Sequence, residues 1–320
     1  MMTEIHYLTL VVLLGFILDQ MIGDPPNWPH PVVMIGKTIA LLEGLLNHGP
    51  GRSRRIKGVL LTFLIVGGTY FLTWAIIYGV KTIHPILGFI ISAYFVFTTL
   101  AGKSLLDAGQ SVLKPLERGD LEEARVKLSW FVSRDTSNLS EKDIVRGTLE
   151  TLAENFVDGI LSPLFYAALG GAPLAMAFKA ISTLDSMVGY RNEQYEDFGW
   201  FSARTDDWAN YIPARLSVFF LLMAGWLQRL PVRRAYKIWQ RDASGHPSPN
   251  GGNPESVVAG LLGVQLGGIN IYHGRSHHRA EMGDVMHVSN FRDIVLCQKL
   301  VRSATWLSLL PALGLAYWVS

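Results

Sequence analysis

The chain has one cysteine, Cys297, which excludes an internal disulfide and any metal site built from thiolates. A lone cysteine is usually a small buried hydrophobe, and Cys297 is expected to be one. Charge is scarce as well. Asp, Glu, Lys and Arg make up 17% of 320 residues, and 28 basic against 26 acidic side chains leave a net charge of +2, with no general pull toward nucleic acid. The familiar nucleotide fingerprints are missing. "AGKS" at 101–104 and "IGKT" at 35–38 look like the end of a P-loop, but Phe97 and Pro31 stand where its first glycine belongs. There is no G-x-G-x-x-G, and no internal repeat, heptad array or low-complexity tract.

Apolar runs are what the chain has in quantity. Hydrophobic residues make up 49% and the mean hydropathy is +0.26, too apolar for an ordinary soluble protein and too polar for a chain lying wholly in a bilayer. The fold class expected is all-α, a polytopic helical membrane protein with sizeable cytoplasmic helical loops and re-entrant or interfacial segments. It is read as a single membrane-embedded domain over 1–320. Spans are expected at about 7–22, 58–80, 83–102 and 303–319, the last kinked at Pro311 with Trp and Tyr near its ends. The first lacks a basic leader and a small-residue cleavage site, so it is read as a retained helix. Runs 159–190 and 211–228 are ambiguous, because Lys179, Asp185 and Arg215 put charge at depths where charge is costly. They are read as re-entrant or interfacial rather than as two full crossings. Arg52, Arg54, Arg55 and Lys57 precede the second span. Arg229, Arg233, Arg234, Lys237 and Arg241 follow the last ambiguous run. Both clusters place the polar loops on the cytoplasmic side.

The polar stretches carry the chemistry. In "GTLETLAENFVDGILSPLFY" Glu150, Glu154 and Asp158 are four apart, so on a helix they share a face and repel by roughly a few tenths of a kcal/mol per pair unless something positive joins them. Ser140 with Asp143 reads as a capping box for that helix. Glu154, Asn155 and Asp158 offer oxygen ligands that suit Mg²⁺, a cation that takes few carboxylates and leaves room for water and phosphate. "SRDT" adds Arg134 and Asp135. The stretch 190–215 adds Arg191, Arg204, Asp206, Asp207 and Arg215. "HPSPNGGNPES" adds Asn250 and Glu255, with Asn253 as a plausible N-cap, Pro254 in the first turn, and exposed N–H groups that would hold an anion. Arginines facing Mg²⁺ are equipment for phosphate-bearing substrates. The plainer reading makes the acids a solvated helix face. "HGRSHHR" at 273–279 reads as a solvated loop rather than a zinc site.

In order and spacing, "GDPPNWPHPVVMIG", "VSRDTSNL", "TLAENFVDGILSPLFY", "FKAISTLDSMVGYRNEQYEDFG", "SARTDDWANYIPARL" and "HPSPNGGNPESVVAG" resemble the adenosylcobinamide-phosphate synthase family of cobalamin biosynthesis, from about residue 15 to 275. The resemblance implies a multi-pass enzyme of the cell inner membrane. It implies an ATP- and Mg²⁺-dependent ligase that joins a carboxylate of adenosylcobyric acid to aminopropanol phosphate or ethanolamine phosphate. Glu154, Asp158, Lys179 and Asp185 are the catalytic candidates, and Asp185, Asp206 and Asp207 are the groups nominated to keep the amine unprotonated. Membrane lipid and other late cobalamin-assembly enzymes are the partners it implies. The rival reading is a small-solute transporter with Lys179 and Asp185 along its path, which predicts symmetric hydrophobic halves that the sequence lacks.

Overall fold

The computed structural model describes residues 4–25, 28–190, 192–272 and 274–320. Its helices, in chain order, are α1 (Glu4–Ile22), α2 (Pro31–Leu46), α3 (Gly51–Ile83), α4 (Pro85–Thr99), α5 (Gly102–Glu117), α6 (Leu121–Ser129) and α7 (Glu141–Phe156). A π-helical turn, Val157–Leu161, leads into α8 (Ser162–Val188). Then come α9 (Trp200–Ala209), α10 (Tyr211–Leu227), α11 (Val232–Asp242), α12 (Gly252–Leu262), the strands β1 (Leu266–Tyr272) and β2 (Arg275–Met282), and α13 (Phe291–Val319). Three stretches are long and apolar enough to cross a membrane: Gly51–Ile83, Pro85–Glu117 and Glu141–Val188. The pair α9 and α10 makes a fourth if taken as one broken span, and His6–Ile22 is a shorter apolar helix. This is the polytopic helical membrane architecture expected from the runs, except that the expected span at 303–319 lies in α13, which is not among these stretches. The ambiguous stretch 159–190 falls within the third.

The chain divides into two compact units, one made of residues 1–101, 158–210 and 309–320, the other of 102–157 and 211–308. In the first, α1 and α4 pack on α8 through Val12, Phe16, Val96 and the small side chains Ala167, Ala168, Ala172 and Ala175, which let backbones approach closely. A second cluster joins Ile39 of α2, Leu61 of α3 and Leu184 of α8 around Phe198. Helix α8 is broken midway at Gly170 and Gly171. Gly171, at φ 67° and ψ −160°, has a backbone that a side chain would strain. The π turn has a local cause. Pro163 has no N–H to give to the carbonyl of Gly159, and that carbonyl accepts instead from the N–H of Ala101 at 2.8 Å.

In the second unit every residue of α12 is buried. Its C-terminus is closed by Gly263 in the left-handed region and by Arg234, whose Nε donates to the Gly260 carbonyl at 2.8 Å. The expected cap at its other end is different. The helix begins at Gly252, and Asn253 accepts from Trp239 Nε1 at 2.9 Å and donates to the carbonyls of Pro249 and Asn250. Gly251 and Gly252 let the chain pack where side chains cannot. A Cβ at Gly251 would lie 2.7 Å from the His246 ring, and one at Gly252 would lie 2.1 Å from the Ala243 carbonyl. The start of α12 is thus closed by protein and is no open anion nest. Residues 275–279, expected in a solvated loop, belong to β2, which pairs antiparallel with β1. This hairpin is the only sheet among the described residues. Ser140 does cap α7, accepting from the Asp143 N–H at 3.3 Å.

Candidate functional site

Glu150 and Glu154 lie one turn apart on α7, and the second unit treats them differently. Glu150 is 1% exposed. Its Oε2 pairs with the buried Arg134, and its Oε1 accepts from the Gly267 N–H at 2.8 Å. Arg134 also donates to Asn270 Oδ1 at 2.8 Å. Arg146, one turn before Glu150, donates to the same oxygen at 3.2 Å, to the Ile269 carbonyl at 3.0 Å and to the Gly267 carbonyl. Asp135 accepts from the Gly274 N–H at 2.9 Å, and its own N–H donates to the Ile271 carbonyl at 2.8 Å. The 134–135 turn and the β1–β2 hairpin are therefore strapped to α7 by one buried polar network. Glu150 sits at its centre, so it is no part of a solvated face.

A bulge makes this possible. Between Leu266 and Gly268 the strand slips register, and Gly267, at φ 83°, turns its N–H to Glu150. A Cβ there would come within 2.1 Å of the Ala280 carbonyl. Gly267→Ala is expected to cost about 2 kcal/mol or more, from left-handed strain and backbone displacement together. Denaturant unfolding in detergent measures it, and a change below about 0.5 kcal/mol would show that the bulge can relax.

Glu154 is half-buried, and its carboxylate makes no hydrogen bond among the described residues. It lies within electrostatic reach of Glu255, Arg279, His246 and Glu150. Glu255, from the first turn of α12, is fully buried. Its Oε1 is 3.2 Å from an Arg279 nitrogen and 3.3 Å from His246 Nε2, while its Oε2 is buried with no hydrogen-bond partner. His246 also touches Arg279 through Nε2, and its Nδ1 lies 3.0 Å from the Ser248 nitrogen and 3.1 Å from the Ser248 carbonyl oxygen. Burial opposes a charge on His246. The hydrogen bond and the charge of Glu255 outweigh that burial and the repulsion from Arg279, and they hold the imidazole above its ordinary value of 6.5. A group raised in the folded state stabilises fully below its unfolded pKa, and that share is lost as pH climbs through the folded value. Stability is therefore expected to fall as pH rises above about 6.5, and His246→Gln should flatten that limb of a melting-temperature profile. An unchanged slope in the variant would assign the pH dependence to other groups.

The remaining candidates are distributed between the units. In the first, Lys179 is half-buried within electrostatic reach of Asp24, Asp158 and Asp19, and Asp185 within reach of Asp207. Asp206 accepts from Asn210 at 3.0 Å, and Asn210 in turn accepts from Ser162 at 2.5 Å. Arg204 is exposed and pairs with Asp207 at 3.3 Å. In the second unit, Asn155 spends its amide on the Thr151 carbonyl at 3.0 Å, Asn250 is buried, and Arg215 lies over the Tyr211 ring at 3.4 Å. Asp158 falls on the π turn, beyond the regular α-helical ladder of Glu150 and Glu154. Arg191 lies outside the described residues. Among the described residues no three His, Cys, Asp or Glu side chains gather closely enough to cage a metal ion. Arg146, His246, Asn270 and Arg279 escape the sequence reading. Arg146 was findable, since it stands four residues before Glu150.

Fold and site together define a helical protein of membrane type whose second unit holds two buried clusters of carboxylates and arginines, with carboxylate oxygens at Glu154 and Glu255 free of hydrogen bonds among the described residues. The chain belongs to the CobD/CbiB family of cobalamin biosynthesis, whose description, CobD/Cbib protein, matches residues 12–301. It is 45% identical over 307 residues to the cobalamin biosynthesis protein CobD of Klebsiella pneumoniae, covering 95% of this chain and 96% of that one. It is 46% identical over 298 residues to CbiB of Salmonella typhimurium, covering 92% and 93%. It is 49% identical over 274 residues to CobD of Geobacter metallireducens, covering 86% of each. No solved structure matches the chain.

Proposed function

We propose that this protein is the adenosylcobinamide-phosphate synthase of cobalamin biosynthesis, an ATP- and Mg²⁺-dependent ligase. It joins a carboxylate of adenosylcobyric acid to the amine of aminopropanol phosphate or ethanolamine phosphate. Family membership supports the pathway. The observation that carries the chemistry is Glu154, whose carboxylate makes no hydrogen bond among the described residues and lies within electrostatic reach of Arg279, His246 and Glu255, itself with one oxygen unpartnered. Mg²⁺ keeps several waters and takes one or two carboxylates plus substrate phosphates, so Glu154 with Glu255 fits it without a protein cage. When bound, Mg²⁺ neutralises charge on the phosphates.

The chain's own groups supply the rest. Arg279 offers a planar fork to phosphate oxygens, and Glu255 and His246 fix its orientation. The γ-phosphoryl group of ATP passes to the substrate carboxylate with loss of ADP. The amine attacks the acyl carbon, the C–N bond forms, and inorganic phosphate leaves. The proton that the amine must shed passes to water. Incubation of the purified protein with adenosylcobyric acid, aminopropanol phosphate, ATP and Mg²⁺ should yield the amide by mass spectrometry, with one ADP formed per product. ADP release without amide, or neither product, would refute the assignment.

The same reading puts the polar loops on the cytoplasmic side. Ser137→Cys, Glu193→Cys and Pro247→Cys, each at an exposed position and in a Cys297→Ser background, should all be labelled by an impermeant thiol reagent from that side. Labelling at 193 from the opposite side would establish two full crossings instead.

A further inference from the structure

Helix α11 carries four cations, and the fold uses only two of them. Arg234 closes the end of α12, and Arg241 pairs with Asp242 at 2.6 Å and with Asp284 at 2.8 Å. Arg233 and Lys237 have no ion pair or hydrogen bond among the described residues. They are four apart on the helix, hence neighbours on one face. Both line a groove of about 510 Å³ between α10 and α11. Its other walls are almost wholly apolar and include Phe219 and Trp226, which are 57% and 66% exposed.

We infer that this groove binds an anionic phospholipid, with the acyl chain along α10 between Phe219 and Trp226 and the phosphate held by Arg233 and Lys237. Phe219 and Trp226 are seven residues apart, about 10 Å along the helix, a length of apolar wall that a small free anion has no use for. Two adjacent uncommitted cations at one edge of an apolar trough match a molecule with a charged head and a hydrocarbon body. Long basic side chains reach the headgroup while their stems stay on apolar surface. Each basic residue near an anionic leaflet contributes to such binding. The chain has spans that bring it to the bilayer, so the ligand is at hand. This site is independent of the ligase assignment.

The test is native mass spectrometry of the full chain in mild detergent, titrated with phosphatidylglycerol or phosphatidylethanolamine. Wild type should retain phosphatidylglycerol about tenfold more strongly, and excess inorganic phosphate should not displace it. The double variant Arg233→Gln with Lys237→Gln should lose that preference, Trp226→Ala should weaken retention of both lipids, and Arg292→Gln, an exposed cation elsewhere, should keep the wild-type pattern. Equal retention of the two lipids by wild type would overturn the inference whether or not the variants fold. Displacement by phosphate would overturn it in favour of a free anion. A change of oligomeric state in the double variant with lipid retention intact would overturn it in favour of a second copy of the chain. Loss of preference in Arg292→Gln would reduce the effect to general surface charge and overturn it too.

Discussion

Glu150→Gln is expected to destabilise the protein by about 3–5 kcal/mol, the cost of leaving a buried ion without its partner. The replacement keeps the volume of the side chain, so no cavity enters the result. What it removes is the charge opposite Arg134, which is 7% exposed and among the described residues has only the neutral Asn270 oxygen as its other acceptor. Arg134→Met should cost a similar amount by leaving Glu150 uncompensated, although the Gly267 N–H softens that case. Replacing both residues by apolar ones of like size should recover much of the loss, because paired desolvation disappears with the pair. Denaturant unfolding of the four proteins in detergent closes the cycle. A single-mutant effect under about 1 kcal/mol would mean that water reaches the pair and screens it.

Glu154→Gln should behave in the opposite way. With no hydrogen bond to lose, its stability should stay within about 0.5 kcal/mol of wild type. On the proposed ligase function, amide synthesis should fall by about a hundredfold or more, the scale set by removing a ligand or a preorganised charge from a reacting centre. Dependence on Mg²⁺ should shift to higher concentration in the residual activity. Turnover within a few-fold of wild type would remove Glu154 from the mechanism, and a large loss of stability would move it into the structural network with Glu150. Two acids one turn apart, alike in sequence, thus have separate expected signatures.

The helical skeleton was legible because long uncharged runs have few folding options, and the capping box at Ser140 was legible because its bonds are local. The partners of Glu150 were not. Arg134 is sixteen residues away through a turn, and Gly267 reaches α7 only by way of a bulge. The hairpin was hidden by its own composition: glycines at 267 and 268 break the alternation that marks a strand, and histidines and arginines in β2 look like a solvated loop. Arg279 was lost with it, although it is the cation beside Glu255. The expected ladder of Glu150, Glu154 and Asp158 assumed unbroken α-helical geometry through "ENFVDGILSP". It stops at Phe156, where the π turn begins.

That turn also sets a rotational phase. A π turn holds one residue more than the α turn it replaces, so each residue after it is set back by about 100° around the axis and about 1.5 Å along it from its place in an unbroken α-helix. Ala167 and Ala168, which precede the break at Gly170 and Gly171, pack in this phase in the cluster with α1 and α4. An N–H at position 163 would compete with Ala101 for the Gly159 carbonyl and invite the helix to rewind, swinging bulkier side chains such as Phe165 toward backbones that approach closely because alanine faces them. Pro163 thus acts as a keyway: by withholding one donor it leaves the Gly159 carbonyl to Ala101, and the seating of Ala167 and Ala168 follows from a hydrogen bond that cannot form.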